Sequence, residues 1–169
     1  MKNIKNANGF TLIELLAVIV VLAIVILMAS MAVIPRMNEA RRQVFAMEAN
    51  EAINAASSYL MDGAITGGKT FPASEGSVIC MTISELVTNG DFKNKGYQGR
   101  ILVKKSGNDY LYVVTMTNEK LIVKNAGSGE DYTTSTDITA ENVVDYNKTA
   151  DEGNLACPPT PTASDWPKK

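Results

Sequence analysis

The sequence predicts an α+β fold in which one long N-terminal helix, membrane-spanning in its first half, packs on a small antiparallel β-sheet head. Three observations carry that expectation. Residues 10–34 form a nearly unbroken apolar run that passes into a segment with helical periodicity. Three short stretches rich in β-branched and aromatic residues follow between residues 100 and 124, separated by turn residues. The chain has 169 residues, enough for one ordinary domain and too few for two.

Composition narrows the function classes. There is no histidine, which removes the commonest general base and the commonest zinc ligand. Two cysteines cannot build a four-thiolate metal site. No constellation of residues supports an enzyme, and no cofactor or metal site is expected. The net charge of −2 gives no global argument for nucleic acid.

In the first element, Phe10 to Ile34, only Thr11, Glu14 and Ser30 are polar. As a helix this run is roughly 37 Å long at about 1.5 Å per residue, enough to cross a bilayer. A buried core helix is one alternative, but the rest of the chain is too small to cover every face of it. A secretory signal peptide is another, with Lys2 and Lys5 as its basic start and Ser30-Met31-Ala32 as a small-x-small cleavage site. Against it, the apolar stretch exceeds the usual length and a glutamate sits in its first turn. Glu14 is informative because a carboxylate inside a membrane normally has a partner and a role. Read by position alone, it is equally a solvated group at the headgroup boundary.

Asn8-Gly9-Phe10-Thr11-Leu12-Ile13-Glu14-Leu15-Leu16, after a short basic leader, closely resembles the prepilin signature of type IV pilins and type II secretion pseudopilins. The resemblance implies a pilin-like fold and assigns roles by position. Gly9 is the last residue of a leader spanning 1–9, removed by a prepilin peptidase. Phe10 is the first mature residue, whose new amine is N-methylated. Glu14 is the carboxylate that pairs with the Phe10 amine of a neighbouring subunit. Pairing two such charges between subunits relieves both desolvation penalties and sets the register of the packed helices. The sequence departs from the family pattern at Ala23 and Met31, where many pilins have glycine and proline, and its first proline is Pro35.

Beyond the membrane segment (10–35), helical periodicity continues through Met37, Ala40, Val44 and Met47, then Ala49, Ile53, Ala56 and Leu60. This amphipathic continuation, 36–61, is expected to pack on the head, with Asp62-Gly63 closing the helix. In the head, 62–169, Gly67, Gly68, Pro72 and Gly76 mark a loop. Thr82-Ile83-Ser84-Glu85 has capping-box spacing, and Asn89-Gly90 suits the end of a short helix. Strands are expected at Arg100–Lys104, Tyr110–Met116 and Lys120–Lys124, with turns at Ser106-Gly107-Asn108 and near Asn118. The acidic tail from Asn125 onward reads as loops, with an edge strand near Asn142–Tyr146.

Residues 91–124 hold seven basic groups (Lys93, Lys95, Arg100, Lys104, Lys105, Lys120, Lys124), whereas residues 125–166 hold eight acidic groups and only Lys148 against them. A sheet face complementary to the acidic tail accounts for this better than a nucleic-acid surface, which would show interleaved aromatics. Asp145, Asn147, Asp151 and Glu152 are oxygen donors for calcium whose spacing matches no defined loop. Asn147-Lys148-Thr149 fits the glycosylation sequon, a tripeptide frequent by chance. Cys80 and Cys157 both follow the membrane segment, so with the N-terminus inside they reach an oxidising exterior and are expected to form a disulfide.

The function implied is structural: a pilin subunit of a type IV pilus-like filament, polymerised through its N-terminal helix. A pseudopilin of a secretion or competence system shares this start, and a monomeric membrane-anchored binding protein is a second class. The implied partners are identical or related pilin subunits, the prepilin peptidase, the pilus assembly platform and, before assembly, the cytoplasmic membrane. The final location is an extracellular filament on the cell surface.

Overall fold

The computed structural model describes residues 10–93, 96–127 and 138–167. The elements in chain order are α1 (Leu12–Thr66), β1 (Val78–Thr82), α2 (Ile83–Asn89), β2 (Gln98–Ser106), β3 (Asp109–Thr117), β4 (Leu121–Gly127), β5 (Val143–Asp145) and α3 (Lys148–Asp151). Contacts divide the chain into two compact units, 1–40 and 41–169. The fold is α+β and pilin-like, a long N-terminal helix packed with a five-stranded antiparallel sheet.

The first unit is helical from Leu12 and continues through Pro35, which lacks one backbone donor without ending the element. Ser30 Oγ donates to the Ile26 carbonyl at 2.8 Å, so its hydroxyl is satisfied inside the helix. The side chains from Leu12 to Met28 that are large and apolar are at least half exposed.

In the second unit, the helix presents Phe45, Ala46, Ala49, Ala52, Ala56 and Leu60 to the sheet, all at most 2% exposed. Their spacing of three and four residues makes one stripe. The expected stripe is corrected at its start: Val44 is 55% and Met47 69% exposed, and the neighbouring Phe45 and Ala46 point inward instead. Alanines let helix and sheet approach closely, and the larger side chains come from the strands and α2: Met81, Ile83, Leu86, Phe92, Ile101, Val103, Val114 and Met116.

Asp62-Gly63 does not close α1, which runs on to Thr66. Gly63 is buried, and a Cβ there would lie 1.9 Å from the Lys69 carbonyl oxygen. The glycine is needed for that close backbone approach. The helix ends instead at Gly67, φ +81, with the Gly67 and Gly68 amides both donating to the Gly63 carbonyl. Lys69 then ties the loop down, its ammonium donating to the Cys80 carbonyl at 3.0 Å and to Glu85 at 2.9 Å.

The strands lie in the order β1-β2-β3-β4-β5, each antiparallel to the next. β1 was not expected from the sequence, where Val78–Thr82 lies between the loop signals up to Gly76 and the capping box that starts at Thr82. Its pairing with β2, Val78 opposite Lys104 to Thr82 opposite Arg100, makes it a strand. Thr82 ends it and caps α2 with the expected capping box, and Gly90 at φ +86 closes that helix. β2 and β3 form a hairpin around Gly107-Asn108, with Ser106 opposite Asp109. The turn near Asn118 is held by its side-chain oxygen, which accepts from the Lys120 and Leu121 amides. Between β3 and β4 the register shifts near Thr115; Asn125, at φ +46, takes the left-handed conformation there and exchanges hydrogen bonds with the Thr115 hydroxyl.

Side chains alternate across the strands. Ile101 and Val103 of β2 face α1, while Leu102 joins Val78, Cys80 and Val113 on the other face. That second face is covered by the C-terminal tail. Cys80 and Cys157 are joined by a disulfide with Cα atoms 5.7 Å apart, and Trp166, 2% exposed, packs into the same cluster. The tail is therefore less hydrophilic in its role than its composition implies. Ile138 and Leu155 are also buried.

Candidate assembly and processing site

Of the residues that carry the N-terminal signature, Phe10, Thr11 and Glu14 lie at the start of α1. Phe10 is 84% exposed and precedes the helix. Thr11 is its N-cap: the Thr11 hydroxyl accepts from the Glu14 amide at 3.3 Å. Glu14 reaches back, its carboxylate accepting from the Thr11 amide at 2.9 Å and the Thr11 hydroxyl at 2.8 Å. This is a reciprocal capping box, which satisfies two of the orphan donors at a helix start. Thr11 is the hydrogen-bond partner of Glu14 that sequence reasoning missed. The signal was present, because Thr-x-x-Glu at 11–14 repeats the spacing read correctly at 82–85.

The geometry places the Glu14 carboxylate beside the backbone within one turn of Phe10, on a helix whose apolar surface is left open. That helix is long and apolar enough to cross a membrane, and none of its most apolar stretch is buried among the described residues. An exposed apolar helix of this length needs lipid or other helices around it. Gly9, with Lys2, Lys5 and the rest of the leader, lies outside the described residues.

On the head, the structure disperses the candidate calcium donors. Asp145 faces Arg42 at 3.3 Å. Asp151 is buried, pairs with the Lys124 ammonium at 2.6 Å and accepts from the Asn147 amide at 2.9 Å. Both carboxylates thus meet cations of the chain itself. Among the described residues no group of three or more acidic or sulfur ligands converges.

Two further basic residues of the sheet meet the tail, and a third meets the loop before β1. Arg100 donates to the Ala156 carbonyl at 2.8 Å, and the Lys104 ammonium lies 5.5 Å from the centre of the Trp166 ring. Lys105 donates to the Ala73 carbonyl. Lys95 lies outside the described residues.

The Lys124 ammonium, and secondly the Asn147 amide, hold the Asp151 carboxyl below its usual range. A carboxyl depressed on folding stabilises the native state above its unfolded pKa, and that contribution is lost as pH falls through the folded value. The stability difference between the native chain and Asp151→Asn is therefore expected to be constant near neutrality and to shrink below about pH 4. Urea unfolding of both proteins as a function of pH checks this; a difference that stays constant down to pH 2 contradicts it.

Residues 4–30 match the family model described as the prokaryotic N-terminal methylation motif. No curated protein and no solved structure matches the chain. The matched segment contains Phe10, Thr11 and Glu14 and runs into the exposed apolar helix, so the chain carries the signature of type IV pilin and pseudopilin prepilins.

Proposed function

We propose that the chain is the structural subunit of a type IV pilus-like filament. It is made as a membrane-inserted precursor, cut between Gly9 and Phe10, methylated on the Phe10 amine and polymerised through α1. One observation carries the reading: the methylation motif leads without interruption into an apolar helix that is left uncovered among the described residues. Cleavage at Gly9 creates a cation one helical turn from Glu14, and each subunit then brings one charge of either sign to a nonpolar setting. Prepilin peptidase, the assembly platform and further copies of the subunit are its partners. The membrane holds it until it enters a filament outside the cell. The Cys80–Cys157 tether favours a pilus subunit over a pseudopilin, because a covalently closed tail suits a head exposed to the exterior.

Intact mass and N-terminal sequencing of the mature protein test the processing step. The expected product begins at Phe10 and carries one added methyl group. A chain beginning at Val33, after Ser30-Met31-Ala32, would lack the polymerisation helix and overturn the proposal. Shearing the cells tests the filament: the chain is expected in the released, sedimentable fraction, and a monomeric anchored protein stays with the membrane.

A further inference from the structure

We propose that Asn147 is a glycan acceptor, modified on its side-chain amide by transfer from a polyprenyl-diphosphate-linked saccharide. Asn147 alone among the asparagines of the chain has a serine or threonine two residues on. By itself such a tripeptide is weak. The structure supplies what the tripeptide lacks. Asn147, Lys148 and Thr149 are all exposed: Asn147 lies two residues past β5 at the sheet edge, and Lys148 and Thr149 open the single turn of α3.

The Asn147 side chain is also uncommitted where an asparagine is usually committed. It occupies the N-cap position of α3, yet makes no side-chain cap hydrogen bond. The Asp151 carboxylate reaches back to the Asn147 amide N–H and performs that service instead. Other asparagines of the head spend their side chains on structure. Asn50 exchanges two hydrogen bonds with the Ile138 backbone, and the side chains of Asn89, Asn118, Asn125 and Asn142 each hold a turn, a helix end or a bulge, although not every asparagine is so used.

The segment is fixed at both ends without involving the Asn147 side chain. On one side the Tyr146 amide donates to the Lys120 carbonyl at 2.9 Å; on the other Asp151 is anchored by Lys124. A saccharide on Asn147 would therefore project into solvent and displace no core contact. The backbone at Asn147 is extended, φ −118 and ψ 103, and the four-residue turn after it is too short to be a stable helix alone.

The transfer balances without any redox partner. The Asn147 Nδ2 forms a bond to the anomeric carbon of the saccharide. The bond from that carbon to the diphosphate oxygen breaks, the polyprenyl diphosphate leaves with the electron pair, and the amide proton passes to a base of the transferase. The Thr149 hydroxyl is the recognition element. The inference rests on the reading that residues after the membrane span lie outside, the compartment in which the disulfide persists.

The test is the intact mass of the full chain purified from the cells that naturally make it. A mass excess made up of whole sugar residues is expected, absent from Asn147→Gln and from Thr149→Val and kept in Thr149→Ser. Peptide mapping of the unsubstituted protein locates the saccharide with no variant at all. A native chain of unmodified mass at this peptide overturns the inference, as does an excess that survives Asn147→Gln. The first residue of the mature chain, read from the same sample, tests the processing proposal separately.

Discussion

Glu14→Ala is expected to give a processed, membrane-inserted and correctly oxidised protein that forms no filaments. In the single chain Glu14 is engaged by Thr11, so its carboxylate is capped, and it meets no cation among the described residues. In the proposed filament, pairing with the Phe10 amine of an adjacent subunit would neutralise both. With alanine at 14, each added subunit leaves one buried cation alone, at a cost of about 3–5 kcal/mol. That is ample to stop polymerisation. Insertion is unaffected, because alanine suits a bilayer better than glutamate does. The head folds on contacts made by residues 41–167 and is untouched.

The capping box supplies a sharper variant. Glutamine serves at the third helical position as glutamate does, so Glu14→Gln keeps the hydrogen bonds to Thr11 and removes only the charge. If the ion pair drives assembly, Gln fails like Ala. Normal filament numbers with Gln, counted by electron microscopy, would transfer the role of Glu14 from charge to helix capping. A cap alone accounts for about 1 kcal/mol, too little to abolish a filament.

Cys157→Ser is expected to have the largest effect on the head. The bridge closes a sequence separation of 77 residues. By the chain-entropy model a loop of this length is worth about 4.5 kcal/mol, a large part of the roughly 5–15 kcal/mol that keeps an ordinary domain folded. The structure shows why the tail depends on it. Beyond Cys157, Trp166 is the main apolar contact holding the tail over Val78, Leu102 and Val113. Trp166 is the only tryptophan in the chain, which makes it a clean reporter. Reduction or Cys157→Ser is expected to lower the urea midpoint of the detergent-solubilised protein and to shift Trp166 emission to the red. An unchanged midpoint and emission would show that the tail holds its place without the tether.

Much of this protein was written locally. The signature from Asn8 to Leu16, the apolar run and the capping box at Thr82 each depend on residues a few positions apart, where chain geometry alone sets what side chains meet. The hairpin at Gly107-Asn108 and the turn at Asn118 were legible for the same reason. So was the eligibility of Cys80 and Cys157 to pair, since both follow the membrane segment and there are only two.

Contacts between distant segments decided the rest. Val44 and Met47 outrank Ala46 and Ala52 on any scale of hydrophobicity, yet the alanines are buried because close approach to a sheet rewards small side chains. Gly63 looked like a helix terminator until the Lys69 backbone came to lie against it. Val78–Thr82 is a strand only because β2 pairs with it. Asp151 reads as a solvated acid in an acidic tail, and Lys124, from a strand more than twenty residues earlier, makes it a buried ion-pair partner. Local periodicity ranks side chains by what they are, whereas burial depends on which distant atoms arrive, and only the folded chain specifies that.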